Sequence, residues 1–433
     1  MKFKSDFLRE MDARGFINQC SDFDGLDKHF SSQNATIYLG SDPTADSLHV
    51  GHLVPIMMMR WAQKFGHTPI LLVGGATGHI GDPDKNVERP ILTSEVIAKN
   101  SLGLKKSYSK FLQFNDTKSQ VKNPAIMVDN YDWFKNINYL EFLRDVGMVV
   151  SVNKLITLDR IKKRLDNDLH LSFLELNYPL FQSYDFLVLH EKYKCSVQLC
   201  GSDQWGNAIG GIDLIKRKTG DDVFVLTAPL LTTSDGKKMG KSEGNAAWIN
   251  EERASAYDYY QFFRNVPDDM VGKMLLMYTE LPIDEIEKLS ALKDAELNEA
   301  KKILAFEATK ICRGIEEALS AEKTAIDTFE HGMVGDNLPT HTINGAKFVV
   351  DILIECGVVS SKSEARRLIE QDAVKIDDVK VTSATDVAII GVVDDISLPA
   401  NLVGKLFSFN TININANAIL SVGKKTKIVL KKG

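Results

Sequence analysis

Two histidines, His49 and His52, lie three residues apart in the stretch DPTADSLHVGH, which begins at Asp42. At that spacing both imidazoles face the same side of a helical turn, and Gly51 between them leaves room for a flat group against the backbone. N–H donors at such a turn can hold the oxygens of a phosphate as it becomes five-coordinate. The competing interpretation is a pair of surface or metal-binding histidines. It is weakened because no third metal ligand is evident in the sequence.

A second stretch, TTSDGKKMGKS, runs from Thr232 to Ser242 and carries three lysines among glycines and polar residues. It follows a predicted buried strand. Ammonium groups on a mobile loop can close on a pyrophosphate leaving group and release it afterwards. A lysine-rich loop by itself is more often simply exposed to solvent. The phosphate-binding interpretation of this stretch therefore depends on the presence of the histidine pair.

A third group of polar residues shares one face of a predicted helix. Tyr178, Gln182 and Asp185 are spaced i, i+4 and i+7, which places them along a single stripe. Such a stripe can simply be a partly polar core face. A buried carboxylate and amide need hydrogen-bond partners, however.

The elements that must position these residues follow a strand–helix–strand rhythm. TIYLGS (36–41) predicts a strand, LVPIMMMRWAQKFG predicts a helix, and PILLVGGATG predicts a buried strand that ends in glycines. The rhythm returns at 125–130, 195–207 and 222–231. We therefore predict an α/β fold in residues 1–247, a doubly wound parallel (Rossmann-like) domain with an insertion, whose ligands bind at the carboxyl ends of the strands.

The strand signal fades in the second half of the chain. Residues 248–335 are rich in Ala, Glu, Lys and Leu and predict a helical domain. Residues 343–433 predict a small α+β domain with two short helices, a hairpin near Asp377-Asp378 and a last strand, KTKIVLKK.

Composition excludes several classes of protein. The 433 residues are 44% apolar and 25% charged with a net charge of -6, so the chain is not a basic nucleic-acid coat. Five cysteines without C-x-x-C spacing argue against a disulfide framework or a zinc site and for a reducing compartment. The N-terminus lacks the apolar core of a signal peptide, and no run approaches the ~18–20 apolar residues of a membrane span. We predict a cytoplasmic protein with no membrane partner.

Taken together, the motifs resemble one enzyme family. HVGH matches the HIGH motif and KMGKS the KMSKS motif of class I aminoacyl-tRNA synthetases, while DPTADSLH, GGATGHIGDP, YPLFQSYD and GSDQWGN resemble the bacterial tyrosyl enzymes. The resemblance covers nearly the whole chain. It implies that ATP, with Mg²⁺, activates L-tyrosine to tyrosyl-adenylate and pyrophosphate, and that the tyrosyl group then passes to the 3′ end of tRNA(Tyr). It also implies a homodimer with residues 131–165 at its interface, and no structural metal.

The same resemblance implies a role for individual residues. Catalysis and phosphate handling would fall to His49, His52, Thr44, Lys238 and Lys241. Tyrosine would be bound by Tyr38 and Asp185 at the phenol hydroxyl and by Tyr178, Gln182 and Asp82 at the ammonium group, with Gln204 nearby. ATP would be bound by Asp42, Gly51, Gly201, Asp203, Met239 and Ser242, with Asp203 at the ribose hydroxyls. RNA would be bound by Lys362, Arg366 and Arg367 in an S4-like domain at 343–433, and the anticodon by the helical domain at 248–335. Phenylalanine would leave the buried polar groups at the phenol end unpaired.

Some positions depart from the family pattern. Leu39, Ser41 and Pro55 stand where bacterial relatives often have Cys, Phe and Thr. The resemblance places Leu39 and Pro55 beside the ribose, so ATP affinity can differ. The loop after Asp82 is one residue shorter than in common relatives, so no individual role is carried over to Lys85 or Arg89 within it.

Two alternatives remain open at this stage. The sister tryptophanyl enzymes share the phosphate motifs, but the polar stripe on the helix and the S4-like tail argue against them. A protein that binds RNA and has lost catalysis needs neither HVGH nor KMGKS, and both are intact here.

Overall fold

The structure is a computed structural model, and it describes residues 2–83, 92–115, 121–232, 247–329, 338–344, 346–390, 411–414, 417–423 and 426–432. Contacts divide the chain into two compact units. The first unit comprises 1–239, 248–253 and 267–300, and the second comprises 240–247, 254–266 and 301–433. The predicted domains, 1–247, 248–335 and 343–433, stay predictions beside this division by contacts.

Seventeen helices lie in the described part of the chain. They are α1 (Asp6–Ala13), α2 (Phe23–Ser32), α3 (Leu53–Lys64), α4 (Ser94–Ser109), α5 (Tyr131–Phe134), α6 (Tyr139–Phe142), α7 (Val152–Leu155), α8 (Asp159–Asp166), α9 (Phe173–Tyr193), α10 (Trp205–Thr219), α11 (Ala256–Arg264), α12 (Val271–Tyr278), α13 (Ile283–Ser290), α14 (Leu297–Arg313), α15 (Ile315–Phe329), α16 (Val349–Glu355) and α17 (Lys362–Glu370). None of the helices in these described ranges is both long and apolar enough to span a membrane.

The strands of the first unit form one six-stranded sheet in the order β1-β6-β5-β2-β3-β4. They are β1 (Gln19–Cys20), β2 (Thr36–Ser41), β3 (Thr68–Val73), β4 (Ile126–Asp129), β5 (Cys195–Gly201) and β6 (Phe224–Ala228). All neighbouring strands are parallel except β1, which pairs antiparallel with β6. β3, β5 and β6 are buried almost throughout, as expected for a parallel sheet covered on both faces. The predicted α/β class is confirmed.

The helix α9 carries the predicted polar stripe. Its start is fixed by a capping box, in which the Ser172 hydroxyl accepts the Glu175 N–H and the Glu175 carboxylate accepts the Ser172 N–H. Lys194 ends the helix in a left-handed conformation. Because both ends are fixed, the stripe has one orientation relative to the sheet.

A helix from the second half of the chain supports the histidine turn. α12 packs against α3, and the Tyr278 hydroxyl donates to the carbonyl of Val50 at 3.4 Å. Arg60 of α3 donates to Glu280 at 2.5 Å just beyond the end of α12. These contacts explain why 267–300 group with the first unit.

The second unit combines helices with two small sheets. Its strands are β7 (Thr340–Ile343), β8 (Ala346–Phe348), β9 (Val374–Ile376), β10 (Val379–Lys380), β11 (Val387–Ile390), β12 (Thr411–Ile414), β13 (Asn417–Val422) and β14 (Thr426–Lys432). The predicted hairpin is β9–β10, and its two turn residues, Asp377 and Asp378, both have positive φ, 45° and 64°. That conformation belongs to the tight turn favoured between twisted antiparallel strands.

Candidate active site

The candidate site lies at the carboxyl ends of the central strands. The sheet order reverses between β2 and β5, because β3 and β4 lie on one side of them and β6 and β1 on the other. A crevice at such a switch point is where open α/β sheets bind ligands. Three segments with predicted functional residues leave the strands there: Asp42 after β2, Gly74 after β3, and the 3₁₀ turn Ser202–Gln204 after β5.

The two histidines form a compact pair. His49 precedes a 3₁₀ turn, Val50–His52, that leads directly into α3. The Nδ1 of His49 accepts the Gly51 N–H at 3.1 Å, and the Nδ1 of His52 accepts the His49 N–H at 3.3 Å. The ring centroids are 3.9 Å apart, so the rings share one side of the turn, as their spacing predicts. Since each Nδ1 is an acceptor, each neutral ring carries its proton on Nε2, which is a donor suited to phosphate or ribose oxygens.

The segment that follows the lysine loop is held beside this pair. The Ile249 N–H donates to the Leu48 carbonyl at 2.9 Å. Trp248 forms an isolated β-bridge with His49, and the two rings meet edge-on at 5.8 Å. Trp248 and Ile249 are thereby held next to the first histidine.

Asn250 reinforces the same attachment from a buried position. Its N–H donates to Ser47 Oγ, its amide nitrogen donates to the carbonyls of Asp46 and Gly103, and its Oδ1 accepts from Ser107 Oγ, all at 3.0 Å. Sequence analysis did not find this residue. Only its position eight residues beyond the KMGKS motif hints at it.

The lysine loop itself lies outside the described residues, and so does the shortened loop after Asp82. The predicted residues affected are Lys238, Met239, Lys241 and Ser242, together with Lys85 and Arg89. Their roles stay predictions from the sequence.

A buried polar cluster comprises Tyr38, Asn130, Trp133 and Asp185. We call it the phenol end, after the substrate hydroxyl that Tyr38 and Asp185 are predicted to bind. Asp185 is 3% exposed, and it accepts from Trp133 Nε1 at 2.9 Å and from Asn130 Nδ2 at 3.1 Å. Tyr38 is 2% exposed, and its hydroxyl has no hydrogen-bond partner among the described residues. A buried hydroxyl without a partner is costly, and a polar ligand atom is one remedy. The sequence predicted Tyr38 and Asp185 here but missed Asn130 and Trp133.

Burial dominates the electrostatics of the phenol end. It raises the pKa of Asp185 to about 8, with a smaller upward contribution from Asp42 and Asp129, against hydrogen bonds from Asn130 and Trp133 that lower it. Burial also raises the pKa of the Tyr38 hydroxyl well above its usual range, and the nearby Asp185 charge adds to that effect. This end therefore works with hydrogen bonds in a low-dielectric setting.

A hydrogen-bonded chain connects the phenol end to the rest of the site. Asn130 donates to Thr77 Oγ1 at 3.0 Å, Thr77 donates to Asp42 Oδ1 at 2.7 Å, and the Tyr178 hydroxyl donates to Asp42 Oδ2 at 2.8 Å. Burial, and then the Asp42 charge, raise the pKa of Tyr178 well above its usual range. Gly74 allows this approach, since a Cβ there would lie 2.1 Å from Asp42 Oδ1. Asp42, which is predicted to bind ATP, thus contacts Tyr178, which is predicted to bind the ammonium group of tyrosine.

A second polar cluster contains Asp82, Arg160, Gln182, Gln204 and Asn207. We call it the amino end, after the ammonium group that Asp82 and Gln182 are predicted to bind. Asp82 Oδ2 accepts from Gln204 Nε2 at 2.8 Å, and Asp82 Oδ1 accepts from Asn207 Nδ2 at 3.3 Å. The Asn207 amide also reaches Gln182 Oε1 at 3.3 Å. The structure therefore brings together the predicted residues Asp82, Gln182 and Gln204.

Arg160, on α8, adds a charge that sequence analysis did not predict. Its Nη1 donates to Asp82 Oδ2, and its Nη2 donates to Asp203 Oδ2 at 2.8 Å. One guanidinium thus bridges the carboxylate predicted to bind an ammonium group and the carboxylate predicted to bind ribose. No motif contains Arg160, so the sequence offered no signal for it.

The remaining predicted nucleotide residues lie around the same crevice. Gly201 ends β5, and a Cβ there would lie 2.7 Å from Asp203 Oδ1, so glycine makes room for that carboxylate. Thr44 is exposed, and its N–H donates to the Asp42 carbonyl at 2.8 Å.

The predicted RNA-binding residues lie in the second unit. Lys362, Arg366 and Arg367 are all exposed on α17, and Lys362 pairs with Asp351 at 2.7 Å. Exposed cations on one helix suit phosphate contacts.

Two family descriptions match most of the chain. Residues 31–330 match "tRNA synthetases class I (W and Y)", and residues 329–389 match "Tyrosine--tRNA ligase SYY-like C-terminal domain". The first match alone covers more than half of the sequence.

Individual relatives agree with these matches. The chain is 46% identical over 385 residues to a tyrosine--tRNA ligase of Ruegeria pomeroyi, covering 88% of this chain and 92% of the relative. It is also 46% identical to one from Brucella abortus, covering 93% and 97%. Among solved structures, a C-terminally truncated mitochondrial tyrosyl-tRNA synthetase of Aspergillus nidulans is 32% identical with a TM-score of 0.67, covering 75% of this chain and 94% of that one.

Proposed function

Because this chain belongs to the tyrosine--tRNA ligases, within the class I tRNA synthetases for tryptophan and tyrosine, we propose that its crevice holds tyrosine with the hydroxyl at the phenol end and the ammonium group at the amino end. The enzyme is an aminoacyl-tRNA synthetase with ATP as substrate. It activates tyrosine to tyrosyl-adenylate, releases pyrophosphate, and transfers the tyrosyl group to the 3′ end of tRNA(Tyr).

One observation carries the orientation of tyrosine. The Tyr38 hydroxyl has no partner among the described residues, although it is buried near Asp185. A substrate phenol can donate to one of these groups and accept from the other. Phenylalanine offers neither interaction and would leave both groups unpaired in a dry site, which is strongly unfavourable.

Catalysis on this proposal is positioning and charge stabilisation. A carboxylate oxygen of tyrosine attacks the α-phosphorus in line, and the bond from that phosphorus to the β-bridging oxygen breaks with its electron pair leaving on pyrophosphate. The Nε2–H groups of His49 and His52 donate to phosphate or ribose oxygens, and Asp203 accepts from the ribose hydroxyls. Thr44 assists at the γ-phosphate, while Lys238 and Lys241 attract the leaving group.

Magnesium enters the proposal with the nucleotide. Within the described residues, no group of three or more His, Cys, Asp or Glu side chains is arranged to hold a metal ion. Mg²⁺ prefers to keep several waters and to bind through substrate phosphates. We therefore assign it to the ATP complex and give it no ligand in this chain.

The second half of the chain would bind tRNA. We propose the helical region 248–335 for the anticodon and the S4-like region 343–433 for further contacts, with the exposed cations of α17 binding phosphates. The match of 329–389 to a tyrosine--tRNA ligase C-terminal domain supports this assignment.

A homodimer is proposed from exposed apolar side chains. Several large ones cluster in and just after the predicted interface, 131–165: Tyr131, Tyr139, Leu140, Met148, Val152, Ile156, Leu165, Leu169, Phe173 and Leu174. Large exposed apolar side chains that gather in one part of a chain are typical of protein–protein interfaces. Light scattering after size-exclusion chromatography should give twice the mass of one chain, and Leu140→Asp should shift it toward the monomer. A monomeric wild type would remove this part of the proposal.

A cytoplasmic location is proposed on chemical grounds. All five cysteines are free thiols, as is usual in a reducing compartment.

Exchange of labelled pyrophosphate into ATP tests the proposed function. We expect exchange with tyrosine and none above background with tryptophan or without an amino acid. Exchange driven by tryptophan would favour the sister enzymes. A protein that binds tRNA but catalyses no exchange with any amino acid would instead favour an RNA-binding role.

A further inference from the structure

Arg160 holds a position in the site that none of the predicted roles explains. It lies in the first turn of α8, and its side chain is 17% exposed. The start of α8 is tightly held against α10, since a Cβ at Gly206 would lie 2.8 Å from Leu158 Cδ2. The packing of α8 against α10 therefore fixes the position from which the guanidinium reaches the site.

The contacts of Arg160 define where its charge sits. Its Nη1 donates to Asp82 Oδ2, and its Nη2 donates to Asp203 Oδ2 at 2.8 Å. If Asp82 binds the ammonium group and Asp203 binds the ribose, the reacting carboxylate and the α-phosphate must lie between these two carboxylates. Arg160 occupies that interval.

The activation step needs positive charge at this point. It brings the tyrosine carboxylate against the α-phosphate, so two anions must approach each other. A cation held in a partly dehydrated site stabilises such an arrangement far better than water does. Arginine is suited to this role because it stays charged and its planar fork can contact two oxygens at once.

We propose that Arg160 is a further catalytic residue, whose guanidinium binds the tyrosine carboxylate and an oxygen of the α-phosphate during adenylate formation. This inference rests on the proposed function. Arg160 forms no covalent bond and transfers no proton. Asp82 keeps its hydrogen bonds from Gln204 and Asn207 when the guanidinium turns toward substrate.

A different role would fit the same contacts. Arg160 could act only as a stand-in for the substrate ammonium group on Asp82, to be displaced when tyrosine binds. The two roles predict opposite changes in tyrosine affinity. Removal of a stand-in strengthens tyrosine binding, whereas removal of a catalytic cation weakens tyrosine binding and slows the reaction.

Arg160→Gln tests the proposal with two ligands, tyrosine and tyramine, which lacks the carboxylate. We expect the single-turnover rate of adenylate formation to fall about 100-fold, in line with loss of one preorganised donor to a transition state. The dissociation constant of tyrosine should rise about tenfold, as expected for loss of one charged hydrogen bond to the carboxylate. That of tyramine should not rise, because tyramine has no carboxylate and its ammonium group competes with Arg160 for Asp82. Arg160→Lys should recover part of the rate, and Arg217→Gln, which changes an exposed arginine on α10 outside the predicted interface, should match the wild type.

Three results would overturn this role. Arg160→Gln could form adenylate at the wild-type rate, it could bind tyrosine more tightly without loss of rate, or it could lose tyrosine and tyramine affinity equally, which indicates a structural role. If Arg160→Gln misfolds by circular dichroism, Arg160→Lys carries the same ligand comparison. A wild type that forms no adenylate with tyrosine would refute the proposed function instead.

Discussion

The two ends of the proposed amino-acid pocket differ in burial and in charge. At the phenol end, Asp185 and Tyr38 are almost fully buried, and Asp185 is surrounded by neutral donors from Asn130 and Trp133. At the amino end, Asp82 and Asp203 share a guanidinium, and the side chains of Asp203 and Arg160 are 24% and 17% exposed.

This difference separates selection from activation. Every amino acid has an ammonium group and a carboxylate, so charges at the amino end cannot tell one from another. Only tyrosine carries a phenol, and a dry site penalises any side chain that leaves its polar groups unpaired. On the proposed orientation of tyrosine, the buried end determines which amino acid is used, and the charged end serves the reaction.

The largest effect should come from breaking the phenol end. Asp185→Ala removes the buried carboxyl that accepts from Trp133 Nε1 and from Asn130 Nδ2, which keeps its bond to Thr77. We therefore expect tyrosine-dependent exchange to fall by at least about 1000-fold, the scale of several kcal/mol for a broken buried network. Exchange at the wild-type rate in this variant would remove Asp185 from the pocket. Asp222→Ala, which changes a carboxylate that is 80% exposed, is the matched control.

A smaller loss of binding is expected at the amino end, and only for ligands that carry an ammonium group. Asp82→Asn should weaken tyrosine binding by about 10- to 100-fold, because it removes a charged hydrogen bond. Binding of 3-(4-hydroxyphenyl)propionate, which has the phenol but no ammonium group, should change by less than threefold. Calorimetric titration of both ligands measures the difference. Equal losses would mean that Asp82 does not face the ammonium group.

The raised pKa of Asp185 predicts a pH dependence of stability. The carboxyl has a folded-state pKa of about 8 against an ordinary value of 3.8, so between these values the folded protein retains a proton that the unfolded chain releases. Its contribution to stability is full below pH 4 and is lost as the pH rises through 8. Relative to wild type, Asp185→Asn should therefore gain in unfolding free energy between pH 5 and pH 8, measured by urea titration. A constant difference would show that Asp185 is ionised throughout.

The smallest effect should follow from Tyr38→Phe. The lost hydroxyl has no partner among the described residues in the absence of ligand, so the free energy of unfolding should stay the same or rise slightly. The preference for tyrosine over phenylalanine in exchange should fall about two- to tenfold, the value of one neutral hydrogen bond. A marked loss of stability would mean that the hydroxyl already has a partner in the free enzyme.

Sequence reasoning found the parts of the site that are local in the chain. HVGH forms one turn, and Tyr178, Gln182 and Asp185 follow one face of α9, so their spacing alone groups them. The α/β class was predictable for the same reason, because the spacing of apolar residues within each segment indicates a strand or a helix.

The residues that were missed act across long separations. Asn130 contacts Asp185 55 residues away, Arg160 contacts Asp82 78 residues away, and Asn250 reaches Gly103 147 residues away. None of them belongs to a periodic pattern or a recognisable motif, so only the fold brings each one to its partner. The same holds for the boundary between the units, since 267–300 join the first unit through α12 packing on α3.

The central claim is that the phenol end determines the substrate. Its most direct test is calorimetric titration of the wild-type protein with tyrosine, phenylalanine and tyramine under the same conditions. We predict that phenylalanine binds at least about 100-fold more weakly than tyrosine, because its binding leaves two buried polar groups without a hydrogen-bond partner. Tyramine should lose less affinity relative to tyrosine than phenylalanine does. Phenylalanine binding within threefold of tyrosine would contradict the account.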